Sequence, residues 1–203
     1  MRERYRAHVR QAVLEIAHDL IAERGWDRVR MGEVAERAGI SRALLYKEFG
    51  DKPGLGEAVV LREASRFIEG IDGVLALHGT DPAAGLGASV AYVLEEAERS
   101  PLLRAVLISS RDADAAASTG ILPLLTTSAP LLELASRSLA NWLSVHLPGG
   151  GDDEVADAAD AFVRLTVSHL ALPTMSKSQT AQKITTVGLR YLGLMTSGRD
   201  ASV

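Results

Sequence analysis

Cysteine is absent from this chain of 203 residues, which excludes disulfide bonds and metal sites built on thiolates. No apolar run approaches the ~20 residues that a membrane-spanning helix needs. The first six residues, MRERYR, carry basic side chains, but no apolar stretch follows them, so they lack the pattern of a secretory signal. We therefore expect a soluble cytoplasmic protein that does not enter a membrane.

The motifs of common enzymes and metal sites are also missing. No His-Glu-x-x-His sequence, nucleophile elbow or phosphate-binding loop occurs. The carboxylates at 95, 96 and 98 have the pattern of a solvated surface. The histidines are scattered without the spacing of a metal cluster, at His8, His18, His78, His146 and His169. We predict that the protein is not an enzyme and holds neither metal nor cofactor, with a helical enzyme as the remote alternative.

The alternation typical of strands is lacking as well, and nearly every segment has helical periodicity instead. Apolar residues recur at helical spacing over about 4–24, where Gly25 ends the pattern. Two later helices are predicted to begin at a capping residue followed by proline. The further predicted helices span about 51–77, 82–99, 101–111, 121–127, 130–148, 152–172 and 177–196, with a loop at 112–120. The sequence predicts an all-α protein of about nine helices.

Residues 31–49 have the pattern of a helix-turn-helix. Ala35 is small where two helices must cross closely, and Gly39 stands where the turn between them requires a positive φ. Ser41 is suited to cap the second helix, and Leu45 lies on the side of that helix that must face the core. The alternative is a helical hairpin with only a structural role.

The outer face of the second helix is predicted to present Arg42, Ala43, Tyr46 and Lys47. A short helix with a basic and aromatic outer face is suited to enter the DNA major groove and to contact phosphates. The fork of Arg42 matches the O6 and N7 atoms of guanine, and Ala43 is suited to a thymine methyl group. Residues 1–52 carry 11 Lys+Arg against 9 Asp+Glu, whereas the remainder carries 11 against 17, so the mildly basic part is the part that would meet DNA.

The stretch from Val34 to Lys52, together with the helix before it, resembles the TetR family of bacterial transcription regulators. The matching pattern is hydrophobic-Ala-x-x-Ala-Gly-Ile-Ser-x-x-x-Leu-Tyr-x-x-Phe-x-x-Lys. The resemblance implies an N-terminal three-helix helix-turn-helix domain over 1–52 and a six-helix effector-binding and dimerisation domain over 53–203. It implies a ligand-responsive regulator, usually a repressor, that binds a double-stranded DNA operator.

The resemblance also implies roles for single residues. Positions matching Tyr46, Lys47 and Lys52 contact phosphates in the family, and those matching Arg42 and Ala43 face base edges. The predicted DNA-binding residues are Arg30, Ser41, Arg42, Ala43, Tyr46, Lys47 and Lys52.

Three positions depart from the family pattern. Arg30 replaces a common capping threonine, Gly32 replaces an arginine or serine, and Leu44 replaces a threonine or serine that binds phosphate. We expect Arg30 and the arginines near the N-terminus to compensate for the lost phosphate contacts.

A cavity among the helices after the motif is a further implication of the resemblance. Because 47% of the chain is apolar, we predict an elongated apolar effector such as a fatty acid or an alkane. The predicted lining residues are Tyr92, Leu103, Leu107, Ser110, Arg111, Leu124, Leu125, Thr126, Trp142, Phe162 and His169. For any single apolar residue among them, and for His169, a place in a filled core is the stronger alternative. The alternative is a regulator whose body binds a protein partner or no effector.

The last two long helices pair with a second subunit in this family, which implies a homodimer. The predicted interface stripes comprise Val155, Ala159, Phe162 and Thr166 on one helix and Ile184, Val187 and Tyr191 on the other. Each helix must also serve its own core, so the sequence leaves open which side meets the partner. A symmetric dimer would read two half-sites about 34–36 Å apart, which predicts a near-palindromic operator.

Overall fold

The computed structural model of the protein describes residues 2–108, 128–146 and 151–194. Within these ranges the chain forms nine α-helices, one 3₁₀ turn and no strand, which confirms the all-α prediction. No helix in the described ranges is long and apolar enough to cross a membrane.

The helices and the 3₁₀ turn follow one another along the described residues. They are α1 (Arg2–Arg24), the 3₁₀ turn (Trp26–Arg28), α2 (Met31–Arg37), α3 (Arg42–Phe49), α4 (Lys52–Leu77), α5 (Pro82–Arg99), α6 (Pro101–Ile108), α7 (Ser128–His146), α8 (Asp152–Ala171) and α9 (Lys177–Tyr191).

Short polar side chains begin five of these helices by accepting a hydrogen bond from a free backbone N–H of the first turn. The Ser41 hydroxyl accepts from Leu44 N at 3.1 Å. Carboxylate oxygens of Asp51 and Asp81 accept from Gly54 N at 2.8 Å and from Ala84 N at 3.0 Å. Ser100 caps α6 by accepting from Leu103 N at 3.1 Å. At Ser176 the full capping box predicted from the sequence is present with Gln179.

The chain divides into two compact units, Met1–Arg66 with Ser100–Ala129 and Phe67–Arg99 with Pro130–Val203. The predicted boundary between the DNA-binding domain and the effector domain, between residues 52 and 53, was placed from the sequence motif. It differs from this division into compact units and stays a prediction. In the first unit, α1 packs against α2, α6 and the 3₁₀ turn. Its core includes the fully covered side chains Val13, Leu20, Val29, Val34, Leu45 and Leu55.

In the second unit, α9 packs against α5 and α8. Two glycines leave room for aromatic rings in this unit. A Cβ on Gly85 would overlap the Trp142 ring, and a Cβ on Gly188 would overlap the Phe162 ring. The core also includes the fully covered side chains Leu75, Leu86, Leu131, Leu143 and Ile184.

The His146 side chain links two segments of this unit. Its Nδ1 lies 2.9 Å from the Trp142 carbonyl oxygen one turn back, and its Nε2 lies 2.8 Å from the Gly79 carbonyl oxygen just beyond α4. The imidazole also packs on the Trp142 ring, with 4.3 Å between ring centroids. The C-terminal ends of α4 and α7 are therefore joined through a single side chain.

Several helix ends differ from the predicted ones by a few residues. α7 begins at Ser128, two residues before the proline at 130 that was predicted to start it, and α9 ends at Tyr191 rather than near 196. The α9 prediction was too long because Gly193 adopts a φ of 65° and terminates the helix. The predicted loop at 112–120 and the predicted helix at 121–127 lie outside the described residues.

Candidate nucleic-acid interface and regulatory body

The helix-turn-helix forms at the residues that its sequence pattern indicated. Gly39 has a φ of 65°, the left-handed conformation that glycine adopts most easily. The turn is closed by a hydrogen bond from Ile40 N to Ala35 O at 3.0 Å. Ala35 and Val34 are buried on α2, and Leu45 is fully covered on α3. Apolar packing therefore fixes the inner faces of both helices and with them the outer face of α3.

The outer face of α3 carries four exposed residues in two turns. Arg42, Ala43, Tyr46 and Lys47 all point away from the core, and Tyr46 keeps 49% of its surface exposed. They share one face because positions three and four apart are neighbours on a helix. The arrangement joins two cations, a phenol hydroxyl and a methyl group on a surface narrow enough for a major groove.

The C-terminal end of α3 is held by arginines of α1. Arg6 Nε lies 2.6 Å from a carboxylate oxygen of Glu48, and this hydrogen bond, followed by the carboxylate's charge, raises the pKa of Arg6 above its ordinary value. Arg10 donates to the Glu48 carbonyl oxygen at 3.4 Å, and its guanidinium carbon lies 4.7 Å from the centre of the Phe49 ring. Sequence reasoning assigned the arginine-rich arm to phosphates and missed this bracing. The available signal was Glu48, which is the only acidic residue of α3.

Lys52 stands at the start of α4. Its Nζ donates to the carbonyl oxygen of Asp27 at 3.1 Å and lies 4.9 Å from the centre of the Trp26 ring. Lys52 therefore joins the 3₁₀ turn to α4 in the free protein. Arg30 precedes α2 and is exposed, so its side chain is accessible beside the motif.

The structure places the predicted effector residues in different surroundings. Leu103 and Leu107 are buried on α6 in the first unit. Phe162 is buried in the second unit, where Tyr92, Trp142 and His169 are half-buried. The other predicted lining residues lie outside the described residues, namely Ser110, Arg111, Leu124, Leu125 and Thr126.

Two of the aromatic side chains in the second unit have distinctive contacts. The Tyr92 ring stacks on Phe67 with 6.0 Å between centroids, and its hydroxyl occupies the space that a Cβ on Gly70 would need. The indole nitrogen of Trp142 is buried and has no hydrogen-bond partner among the described residues. A buried donor without an acceptor is costly, so this nitrogen marks a place where an acceptor would be favoured.

An apolar depression of about 90 Å³ lies on the second unit, between α5, α7, α8 and α9. Val187 and Tyr191 border it and expose 47% and 66% of their surfaces. The residues that line it are Leu86, Leu143, Ala158, Ala161, Phe162, Leu165, Val187, Gly188, Tyr191 and Leu192. An exposed apolar surface with a hollow is a feature of interaction sites.

The predicted dimer stripes separate into covered and exposed parts. Val187 and Tyr191 are exposed on α9. The other five predicted residues are buried within their own unit and belong to its core: Val155, Ala159, Phe162, Thr166 and Ile184. They were assigned to the interface because a helical stripe alone does not distinguish a core face from a partner face.

In the part of the chain that the structure describes, no group of three or more histidines, aspartates or glutamates is arranged so that it could hold a metal ion.

Comparisons with known proteins give matches over both parts of the chain. The family model described as bacterial regulatory proteins, tetR family, matches residues 13–59. A second model, described as the bacterial tetracyclin repressor C-terminal domain, matches residues 81–190. The HTH-type transcriptional regulator AlkX of Mycobacterium tuberculosis is 32% identical over 173 residues, which cover 84% of this chain and 79% of that relative.

Solved structures give the same result for the fold. The TetR family repressor AlkX from Dietzia sp. strain DQ12-45-1b, implicated in biodegradation of n-alkanes, is 30% identical and superposes with a TM-score of 0.67, covering 90% of this chain and 97% of that one. The fatty acid degradation regulator FadR from Bacillus halodurans has a TM-score of 0.62 over 96% of this chain and 97% of its own, at 13% identity. At that identity the likeness to FadR concerns the fold alone.

Proposed function

Since this chain belongs to the TetR family of bacterial transcriptional regulators, we propose that it is a dimeric repressor, released from a near-palindromic operator by an elongated apolar effector. It is a DNA-binding regulator and not an enzyme, as members of this family are. Because a bacterial operator is DNA in the cytoplasm, we propose that the protein acts there.

The observation that carries the DNA-reading proposal is the outer face of α3. Leu45 and Phe49 are buried, which fixes the face bearing Arg42, Tyr46 and Lys47 outward. In this proposal Arg42 reads a guanine through its fork, and Ala43 contacts a thymine methyl group. Tyr46 and Lys47 set the register on phosphates. Arg30, Ser41 and Lys52 complete the contact surface at the edges of the motif.

The exposed side of α8 and α9 supports the dimer. Around the apolar depression, Leu165 is half-buried, while Ala161, Val187 and Tyr191 are exposed. Burial of such a surface against a second copy is favourable by roughly 25 cal/mol for each Å² of apolar area removed from water. We therefore assign the partner face to this side of the two helices, with a side chain of the second copy filling the depression.

Similarity to two AlkX proteins supports the effector class. One of them is a repressor implicated in n-alkane biodegradation, and this chain is 30% and 32% identical to the two. We infer that the effector here is also an alkane or a product of alkane oxidation, such as a fatty acid. Among the described residues the indole nitrogen of Trp142 has no hydrogen-bond partner. This favours an oxygenated compound, because the N–H would then donate to an oxygen of the effector.

The first experiment selects the operator from a pool of randomised double-stranded DNA with the purified protein and then titrates the complex with effectors. We expect a two-fold-symmetric motif, and release of the DNA by medium-chain alkanes, alcohols or fatty acids. Trp142→Phe should weaken release by fatty acids while leaving release by alkanes unchanged. Operator binding that no apolar compound alters would reject the effector class and favour a protein partner or no effector. An asymmetric motif would reject the dimer.

A further inference from the structure

Arg42 does not extend freely from α3 in the unbound protein. Its guanidinium lies against Gly32 on α2, so close that a Cβ built on Gly32 would stand 2.8 Å from Nη2, 3.0 Å from Cζ and 3.1 Å from Nε. The first of these distances is shorter than real Cβ atoms show, and the other two are tighter than most Cβ contacts, so the guanidinium would have to move. Because Gly32 has no side chain, the planar guanidinium can lie against its backbone. Any other residue at position 32 would occupy that space.

Space, and not charge, accounts for this placement. Within the described residues Arg42 takes part in no hydrogen bond or ion pair. Gly32 is in the first turn of α2, where the exposed backbone N–H groups carry a partial positive charge that does not attract a cation. The nearest acidic residue along α2 is Glu33, and it is paired with Arg24 and with Arg37, the latter at 3.4 Å. The guanidinium therefore keeps all its donors for an acceptor outside the protein.

We propose that Gly32 is a specificity-determining residue, which acts by positioning the Arg42 guanidinium at one place on the DNA-reading surface. The inference rests on the proposed function, in which Arg42 reads a guanine. A bidentate contact requires the fork to present both donors in the plane of the base. Gly32 leaves room for the guanidinium beside α2, and a side chain at this position would take that room away. Gly32 would thus determine which base pair Arg42 reaches, although it contacts no base itself.

The test selects binding sites from a randomised DNA pool with the wild type, Arg42→Ala, Gly32→Ala and the double variant, and then measures affinity for the selected site and its single-base changes. We expect the wild type to prefer guanine at one position of each half-site by about tenfold or more. Arg42→Ala should abolish that preference. Gly32→Ala should reduce it at least fivefold, or move it to a neighbouring base pair, although Arg42 is present. The double variant should match Arg42→Ala, because Gly32 acts through the arginine.

Folding and specificity are separable in this test. The atoms that Gly32→Ala displaces are the far end of a flexible side chain, and alanine favours a helix more than glycine does, so thermal stability should be unchanged or raised. Gly73→Ala is the matched control, because a Cβ there meets nothing within 4 Å, and it should keep the wild-type preference. If Arg42→Ala loses the guanine preference and Gly32→Ala retains it, the inference is wrong while the proposed function stands. If Arg42→Ala also retains it, the reading role of Arg42 and the inference are both wrong.

Discussion

The two compact units differ in the kind of surface that they leave uncovered. In the first unit the outer face of α3 combines Arg42 and Lys47 with the phenol of Tyr46. Beside its charged side chains, the second unit exposes six large apolar or aromatic ones: Leu77, Leu134, Val145, Leu172, Val187 and Tyr191. The first surface is suited to a polyanion and the second to an apolar partner.

The same contrast extends to the side chains behind each surface. Behind α3, Arg6 pairs with the Glu48 carboxylate and Arg10 lies over the Phe49 ring, so the charge of the acidic residue on the reading helix is compensated. Behind the exposed side of α9, Gly188 admits the Phe162 ring, so the helix lies close to α8. Charge compensation supports one surface and close packing supports the other. We therefore expect the two surfaces to respond to different perturbations.

The largest expected effect is on the core beneath the DNA-reading face. Leu45 is fully covered, so Leu45→Ala should lower the free energy of unfolding by about 3 kcal/mol through lost burial and a residual cavity. Leu134→Ala in the second unit is the control, because Leu134 exposes 43% of its surface and the loss should stay below about 1 kcal/mol. Urea unfolding followed by circular dichroism measures both. Equal losses in the two variants would mean that the Leu45 side chain is packed no more tightly than the exposed Leu134 side chain.

The next effect concerns the apolar surface of the second unit. Val187→Lys places a charge at the border of the depression and should weaken self-association by roughly 10- to 100-fold, because the charge would have to be buried against the partner. Val145→Lys is the matched control, since Val145 is 77% exposed and does not line the depression. Sedimentation equilibrium of the three proteins gives the dissociation constants. An unchanged constant for Val187→Lys would place the partner face elsewhere.

A smaller effect distinguishes two lysines at the DNA-facing surface. Lys47 is exposed on α3, so Lys47→Ala should reduce the slope of log affinity against log salt by about 1 and weaken all DNA sequences alike, without changing stability. Lys52→Ala should give the same slope and also lower the melting temperature, since Lys52 donates to Asp27 and covers Trp26. DNA titrations at several salt concentrations, with thermal melts of the free proteins, separate the two. An unchanged slope for Lys47→Ala would remove it from the phosphate contacts.

How far the sequence predicted these features depends on the distance between the residues that determine them. The motif at 31–49 was predicted residue by residue because its determinants are local: Gly39 needs a positive φ, Ser41 caps the next turn, and Leu45 follows at helical spacing. The starts of α4, α5, α6 and α9 were predicted for the same reason, from capping residues beside the helix. α9 ended earlier than predicted because the left-handed Gly193 was not recognised as a stop.

The faces of the body helices could not be predicted in this way. Ile184 and Val187 lie one turn apart on α9, yet the first is fully covered and the second is 47% exposed, because the positions of α5 and α8 decide which side is covered. The same limit applies to Arg6, whose partner Glu48 is 42 positions away in the chain, and to the contact of Arg42 with Gly32 on another helix. Long-range packing, and not helical periodicity, determines these pairs.

The smallest expected effect concerns an exposed ion pair of the second unit and tests whether such charges contribute to its stability. Lys177 pairs with Glu98 between α9 and α5, and this hydrogen bond, followed by the lysine charge, lowers the pKa of Glu98 below its ordinary value. A lowered folded pKa means that the stabilisation is present above the ordinary carboxyl value and is lost as pH falls through the lowered one. Glu98→Gln should therefore lower the melting temperature slightly at pH 7, and this difference should shrink as pH falls through the lowered pKa of Glu98. Lys177→Gln should behave alike, and the double variant should equal either single one. A difference that persists at low pH would show that Glu98 acts through packing instead of charge.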